Sequence, residues 1–288
     1  MSKAYNCDLC GSKDAVEVPY ARLYTNDQPV HICKSCGFVY VRERRTPQEI
    51  AKTWSEELFG GAYTAKIPAV KARQMYVADF IDAKIGLQGK KLIDIGGGEG
   101  QFSLMARDLY QADIFAIEPS KQNCESMSNM GIACYEGTIE EYLEQKDKQQ
   151  ADIVTIMWTL ENCAFCRDMI NGARDLLADD GYIVVATGSR ILVPFKKPLY
   201  DYLSTNPADT HAFRFSANTL RGILAVSGFR PEHINRFLDT DYLCVIAGKS
   251  PKNSSLSWAK DDYLMVHDFF ERWHRETIHY RTQSSYEH

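Results

Sequence analysis

Residues 91–110 read KLIDI, then GGGEG, then QFSLMARDLY: a β-rich apolar run, a glycine turn and an amphipathic helical stretch. No other segment constrains the fold as tightly. The grammar recurs downstream, where DIFAIE, DIVTIM and YIVVAT are short apolar runs separated by helical patterns such as MINGARDLLA. Alternation of this kind predicts an α/β fold, a doubly wound and mostly parallel sheet. The last two runs, FRPEHINRF and DYLCVIAG, predict a closing antiparallel pair. Ligands of such sheets bind at the carboxyl ends of the strands, so the glycine turn marks the site.

The turn also narrows the ligand. Asp94, Gly96, Gly98 and Gly100 stand at alternate positions, and Gln101 occupies the place where a dinucleotide fingerprint needs its third glycine. An acid in the motif suits a cationic cofactor such as S-adenosylmethionine better than a pyrophosphate. Glu118, with Pro119 after it, ends the next strand, where its carboxylate can accept from both hydroxyls of a ribose. Thr138 and Ile139 follow the third predicted strand, where an adenine would lie, and Trp158 ends the fourth.

Four cysteines precede this unit. Cys7 and Cys10, then Cys33 and Cys36, form two Cys-x-x-Cys pairs, each followed by glycine. Two such knuckles bring four thiolates to one centre, the donor set of a structural zinc with no position left for an activated water. Cys163 and Cys166 repeat the spacing without a second pair and read as ordinary residues at a helix start. Cys124, Cys134 and Cys244 read as small packing residues.

Between the head and the sheet, Thr46 and Glu49 form a capping box with Pro47 at the first helical position. This predicts a helix to about residue 57, ended by Gly60 and Gly61. A second helix from about Pro68 places Val77, Ile81 and Ile85 on one face. The reading divides the chain into a zinc-binding domain (1–45), a helical linker or cap (46–88), a cofactor-binding domain (89–250) and a C-terminal helix (251–288). Residues 190–215 hold no clear strand and read as a substrate-side insertion. Tyr263, Val266, Phe270 and Trp273 recur at helical spacing in the tail, which packs on its own domain or forms the seam of a homodimer.

The chain has 288 residues, a formal net charge of −5 and 45% hydrophobic residues, ordinary for a globular protein. The negative charge argues against nucleic acid or an anionic membrane as main partner. No apolar stretch approaches the ~18–20 residues that span a bilayer. The expected location is the cytoplasm, where thiols stay reduced.

LIDIGGGEG, AIEPS, EGTIEEYL and DDGYIVVAT together resemble the class I S-adenosylmethionine-dependent methyltransferases over about residues 70–248. That resemblance implies a Rossmann-like seven-stranded sheet with an antiparallel last strand, preceded here by a small zinc-ribbon-like domain. The cysteine head is similar to that of sugar methyltransferases of deoxysugar and glycan pathways. HAFRFSANTLRGILAVSGF is similar to a run in bacterial methyltransferases of glycan pathways. The implied substrate is a sugar, nucleotide-linked or a glycan precursor. Those enzymes carry a histidine after the fourth strand; this chain reads Asn162, which favours O-methylation over C-methylation. Candidate catalytic residues are His211, Glu161 and Tyr200, with Tyr202 as a further aromatic, and Arg190, Lys196 and Lys197 could grip a diphosphate. The alternatives are an RNA base methyltransferase with a zinc-binding head, or a methyltransferase of another small molecule; against the first, the head lacks the basic face with stacking aromatics that RNA binding requires.

Overall fold

The computed structural model describes residues 3–58, 67–195, 197–203, 211–235, 242–251 and 256–280. Its largest sheet has seven strands. Their ranges are β6 (Lys91–Ile95), β7 (Asp113–Glu118), β8 (Ala133–Glu136), β9 (Ala151–Met157), β10 (Leu177–Thr187), β12 (Phe229–Ile234) and β13 (Leu243–Lys249). The order across the sheet is β12-β13-β10-β9-β6-β7-β8. Neighbours from β8 to β10 run parallel, and β13 lies antiparallel to both β10 and β12. The order turns back at β6, so the carboxyl ends of β6 and β9 open a crevice at the glycine turn.

The strands are buried on both faces. Leu92, Ile114, Ile153 and Val184 meet α2 (Ile67–Ile85), α3 (Gln101–Tyr110) and α4 (Lys121–Asn129) through Val77, Ile81, Phe102, Met105 and Met127. Ile93, Ile95, Val154 and Val185 face the other way, toward α5 (Ile139–Leu143), α6 (Cys166–Asp175) and α8 (Ala217–Val226). Adjacent residues on a strand therefore serve opposite cores, as the two-residue side-chain period requires.

The head is built from short strands. β2 (Ala15–Glu17), β3 (His31–Cys33) and β4 (Val39–Tyr40) form an antiparallel sheet, and β1 (Lys3–Ala4) pairs with β5 (Glu43–Arg44). The 190–215 segment, expected to hold no strand, contributes β11 (Phe213–Arg214), which adds to β4 as the fourth strand of the head's sheet. Two residues are too short a run to show a period, and only the partner strand defines them. Arg44 ties the same junction. It is fully buried, ion-paired to Asp8 at 3.1 Å, and its guanidinium lies 4.8 Å from the Phe213 ring.

α1 (Pro47–Lys52) starts at the expected box: the Glu49 N–H donates to Thr46 Oγ1, and the Thr46 N–H donates to Glu49 Oε2. It widens into a π-helical turn over Thr53–Leu58. Gly60 and Gly61, expected to end the helix, lie outside the described residues. The tail helix α9 (Tyr263–Thr277) buries Val266, Phe269, Phe270 and Trp273 against its own chain. Trp273 stacks on Phe195 and its indole N–H donates to the Lys197 carbonyl at 2.8 Å, beside α7 (Leu199–Leu203). Among the described residues no helix is long and apolar enough to cross a membrane.

Cys124 on α4 and Cys134 on β8, expected as separate packing residues, lie sulfur to sulfur, because α4 packs beside β8. Cys163 and Cys166 are buried free thiols at the start of α6, and burial pushes both thiols up. Cys244 is also a buried free thiol.

Candidate active site

One cleft runs over the carboxyl ends of β6, β7 and β9. Gly96, Gly98, Glu118, Pro119, Thr138, Ile139 and Trp158 all line it. At Gly96 (φ +73°) an added Cβ would collide with the Thr159 side chain, so glycine lets the turn pass under the loop after β9. Gly98 (φ +55°) has nothing within 4 Å of the equivalent point, so its missing side chain leaves room in the cleft for a ligand. Gly100 does not line the cleft. It is the left-handed N-cap of α3, packed on Met127.

The two acids of the motif have different surroundings. Asp94 is buried, and both oxygens are occupied: Thr155 Oγ1 donates to Oδ1 at 2.7 Å and Ser103 Oγ to Oδ2 at 2.8 Å. It binds β6 to β9 and α3, and burial raises its pKa. Glu118 accepts from the Gly98 N–H (2.9 Å) and the Ser120 N–H (2.9 Å). Burial raises its pKa too, and those backbone donors oppose the rise. The glutamate is thereby oriented at the strand end, beside the open space at Gly98. Thr138 caps α5 with a second capping box, which fixes the loop after β8.

Beyond the turn the cleft changes character. Glu161 is buried and lines it; Oε1 accepts from the Gly188 N–H at 2.9 Å, and Oε2 has no hydrogen-bond partner. Burial raises its pKa. Asn162 donates from Nδ2 to the Trp158 carbonyl at 2.7 Å, while its Oδ1 is unpartnered. Trp158 holds a left-handed backbone at φ +54°, a strained conformation for a bulky residue, and its indole N–H is buried without a partner. Arg73 of α2 lies over that indole, 4.3 Å from guanidinium carbon to ring centroid, with its Nε unpartnered. Arg73 and Gln74, whose Oε1 is also unpartnered, line the cleft and were not legible in the sequence. Only the packing of α2 across the loop after β9 brings them there.

His211 lines the cleft, half-buried, its ring stacked toward Trp54 at 6.2 Å between centroids. The sequence offers it as a catalytic candidate. In the fold, burial, then Arg214 and Lys197 nearby, pushes its pKa down to about 3, which makes it a weak proton acceptor. Tyr200 does not line the cleft; its ring packs toward Tyr24 at 6.2 Å, and Tyr202 reaches the cleft instead. Arg190 is not in the cleft wall, and its Nη1 donates to the Tyr242 carbonyl. Lys196 lies outside the described residues.

The four cysteine sulfurs lie within 4.8 Å of one another. Cys7 and Cys36 sulfurs are 3.7 Å apart, and those of Cys10 and Cys33 are 3.5 Å apart. A tetrahedral ion with zinc–sulfur bonds of ~2.3 Å needs sulfurs roughly 3.8 Å apart, so the set fits such an ion. The Gly11 and Gly37 N–H groups donate to the carbonyls of Cys7 and Cys33, each at 2.8 Å, and close both knuckles. Among the described residues no residue before Pro47 lines the cleft. The head therefore does not wall it directly.

A methyltransferase-domain family profile matches residues 70–234, from α2 through β12. The chain belongs to the methyltransferase-domain family. It is 29% identical over 154 residues to the ubiquinone biosynthesis O-methyltransferase of Glaesserella parasuis serovar 5 (strain SH0165), a match covering 50% of this chain. The chain spans 62% of the length of that relative. Solved structures of similar fold include a 1,6-didemethyltoxoflavin-N1-methyltransferase from Burkholderia thailandensis (TM-score 0.55, 13% identity, 74% of this chain and 96% of that one). Another is the magnesium protoporphyrin IX methyltransferase of Synechocystis PCC 6803 (TM-score 0.53, 14% identity, 70% and 99%). The matched region holds the cofactor-side residues of the cleft and leaves the cysteine head and the tail helix outside it.

Proposed function

We propose that the chain is an S-adenosylmethionine-dependent O-methyltransferase acting on a sugar hydroxyl, nucleotide-linked or in a glycan precursor. The observation that carries the reading is one cleft holding both an oriented Glu118 beside the open Gly98 and, farther along, Glu161 with an unpartnered buried oxygen. The donors fit the cofactor: Glu118 accepts from its ribose hydroxyls, and Thr138 and Ile139 border its adenine. Arg73 and the Trp158 indole N–H supply donors for its carboxylate, and Gln74 Oε1 an acceptor for its ammonium. When bound, S-adenosylmethionine supplies an electrophilic methyl group on a sulfonium.

The protein's own task is to align the acceptor hydroxyl and remove its proton. Glu161 is the base in this reading, because its raised pKa brings it closer to neutrality while His211 is too weakly basic. Support for oxygen as the acceptor atom comes from the O-methyltransferase relative and from Asn162 standing in place of a histidine. The sugar rests on the similarity of the cysteine head to sugar methyltransferases. The four cysteines hold a structural zinc in the same reading. Calorimetry with S-adenosylhomocysteine, and mass spectrometry of nucleotide sugars incubated with cofactor carrying a labelled methyl, test it. Cofactor binding with label on a sugar oxygen is expected; absence of cofactor binding removes the reading.

A further inference from the structure

Among the described residues two arginines are completely buried, Arg44 and Arg214, and they differ in one respect. Arg44 has its counter-ion in Asp8 at 3.1 Å. Arg214, on β11, has none: Nη1 donates to the His211 carbonyl at 3.0 Å, and Nη2 is buried with no partner. Leaving a buried cation unpaired costs several kcal/mol, so such a group is kept where an anion arrives to meet it. Lys197 points to where that anion comes from. It lines the cleft, is exposed, and enters no ion pair among the described residues, although Asp201 also lines the cleft. Lys197 Nζ lies 5.5 Å from the Tyr202 ring centroid and the Arg214 guanidinium 5.9 Å from the same ring. Two uncompensated cations thus flank one aromatic ring in the cleft wall, with His211 beside them. At the cofactor end the lining is acidic on balance, with Glu99, Glu118 and Glu140 against Arg73.

We infer that the acceptor carries an anionic group, a phosphate or a carboxylate, which docks on Lys197 against Tyr202 and His211, with Arg214 as the positioning charge behind them. The inference rests on the methyltransferase reading for the word acceptor, but the anion subsite is testable without it. Polarity along the cleft would orient the acceptor, its anionic end away from the cofactor and its reacting hydroxyl toward Glu161.

Pyrophosphate and malonate are titrated separately by calorimetry into the full-length protein, with and without S-adenosylhomocysteine. Binding of pyrophosphate alone identifies a phosphate acceptor, and binding of malonate alone a carboxylate one. Lys197→Ala should weaken the bound anion about tenfold and Lys197→Glu should abolish it, with S-adenosylhomocysteine affinity unchanged. If neither anion binds in either state, or Lys197→Ala binds as tightly as the parent, the inference is overturned. Loss of S-adenosylhomocysteine binding in the parent would instead remove the proposed function, while the cofactor-free titrations still decide the subsite. Arg214→Gln gives the second arm. It should melt no lower than the parent, since it deletes an unpaired buried charge, yet bind the anion at least tenfold more weakly. A large fall in melting temperature with anion affinity intact would mean that the protein itself satisfies Arg214, and would end the inference.

Discussion

Two buried glutamates in one cleft are set for different work by their partners. Glu118 spends its oxygens on backbone N–H donors that orient it, so its substitution should register in cofactor affinity. Glu118→Ala should weaken S-adenosylhomocysteine by about 1.5–3 kcal/mol in calorimetry, the range for hydrogen bonds to a charged group. Its pKa is raised by burial, and in the proposed function the ionised form accepts from the ribose. Affinity should therefore fall as pH drops through the raised value; a pH-independent affinity would remove Glu118 from the ribose. Glu161→Gln should leave that affinity within about twofold and lower kcat by roughly 10²–10⁴. Parent kcat should rise with pH along an acid limb, as Glu161 loses its proton, and the variant should lack that limb. Glu118 was legible because a strand end and a fixed spacing from the glycine turn suffice to place it. Demoting His211 was not, because the burial that lowers its basicity, with Arg214 and Lys197 nearby, exists only in the folded chain.

At the scale of elements, the glycine turn separates fold from function within three residues. Gly96→Ala drives a methyl group into Thr159 at a φ of +73°, so it should destabilise the whole domain by about 1–3 kcal/mol in denaturant unfolding. Gly98→Ala meets open space, so it pays only the backbone strain, while its methyl intrudes where the cofactor has to lie. The expected pattern is a modest stability loss with a large affinity loss at Gly98, and the reverse weighting at Gly96. Unchanged S-adenosylhomocysteine affinity in Gly98→Ala would show that the space beside Gly98 is not a binding surface. Six of the seven strands were legible as quoted runs, because apolar stretches, glycine punctuation and capping boxes are local signals, whereas β8 reads ACYE and carries no such run. β11 and the α2 contribution of Arg73 and Gln74 are not local. A two-residue strand has no period, and a polar residue on a helix looks the same whether it faces solvent or a cleft.

Across the whole molecule, the cysteine head reaches the cleft through intermediaries. β4 carries β11, and His211 lies two residues before it; the Asp261 N–H, just ahead of α9, donates to the Cys36 carbonyl at 3.2 Å. α9 in turn holds the Lys197 carbonyl through Trp273. The cleft residues His211, Lys197 and Tyr202, the proposed acceptor side, thus hang on the head, while Gly98, Glu118 and Thr138 belong to the seven-stranded sheet. If the four sulfurs hold one ion, the two knuckles they close should open when that ion is lost. Chelation, or Cys33→Ser, should therefore raise the acceptor KM at least tenfold and speed hydrogen exchange at the Phe213 and Arg214 amides. S-adenosylhomocysteine affinity should stay within about twofold. If cofactor affinity collapses in parallel, the two ends of the cleft form one cooperative unit; if neither KM nor exchange changes once the metal is gone, the head does not support the acceptor side.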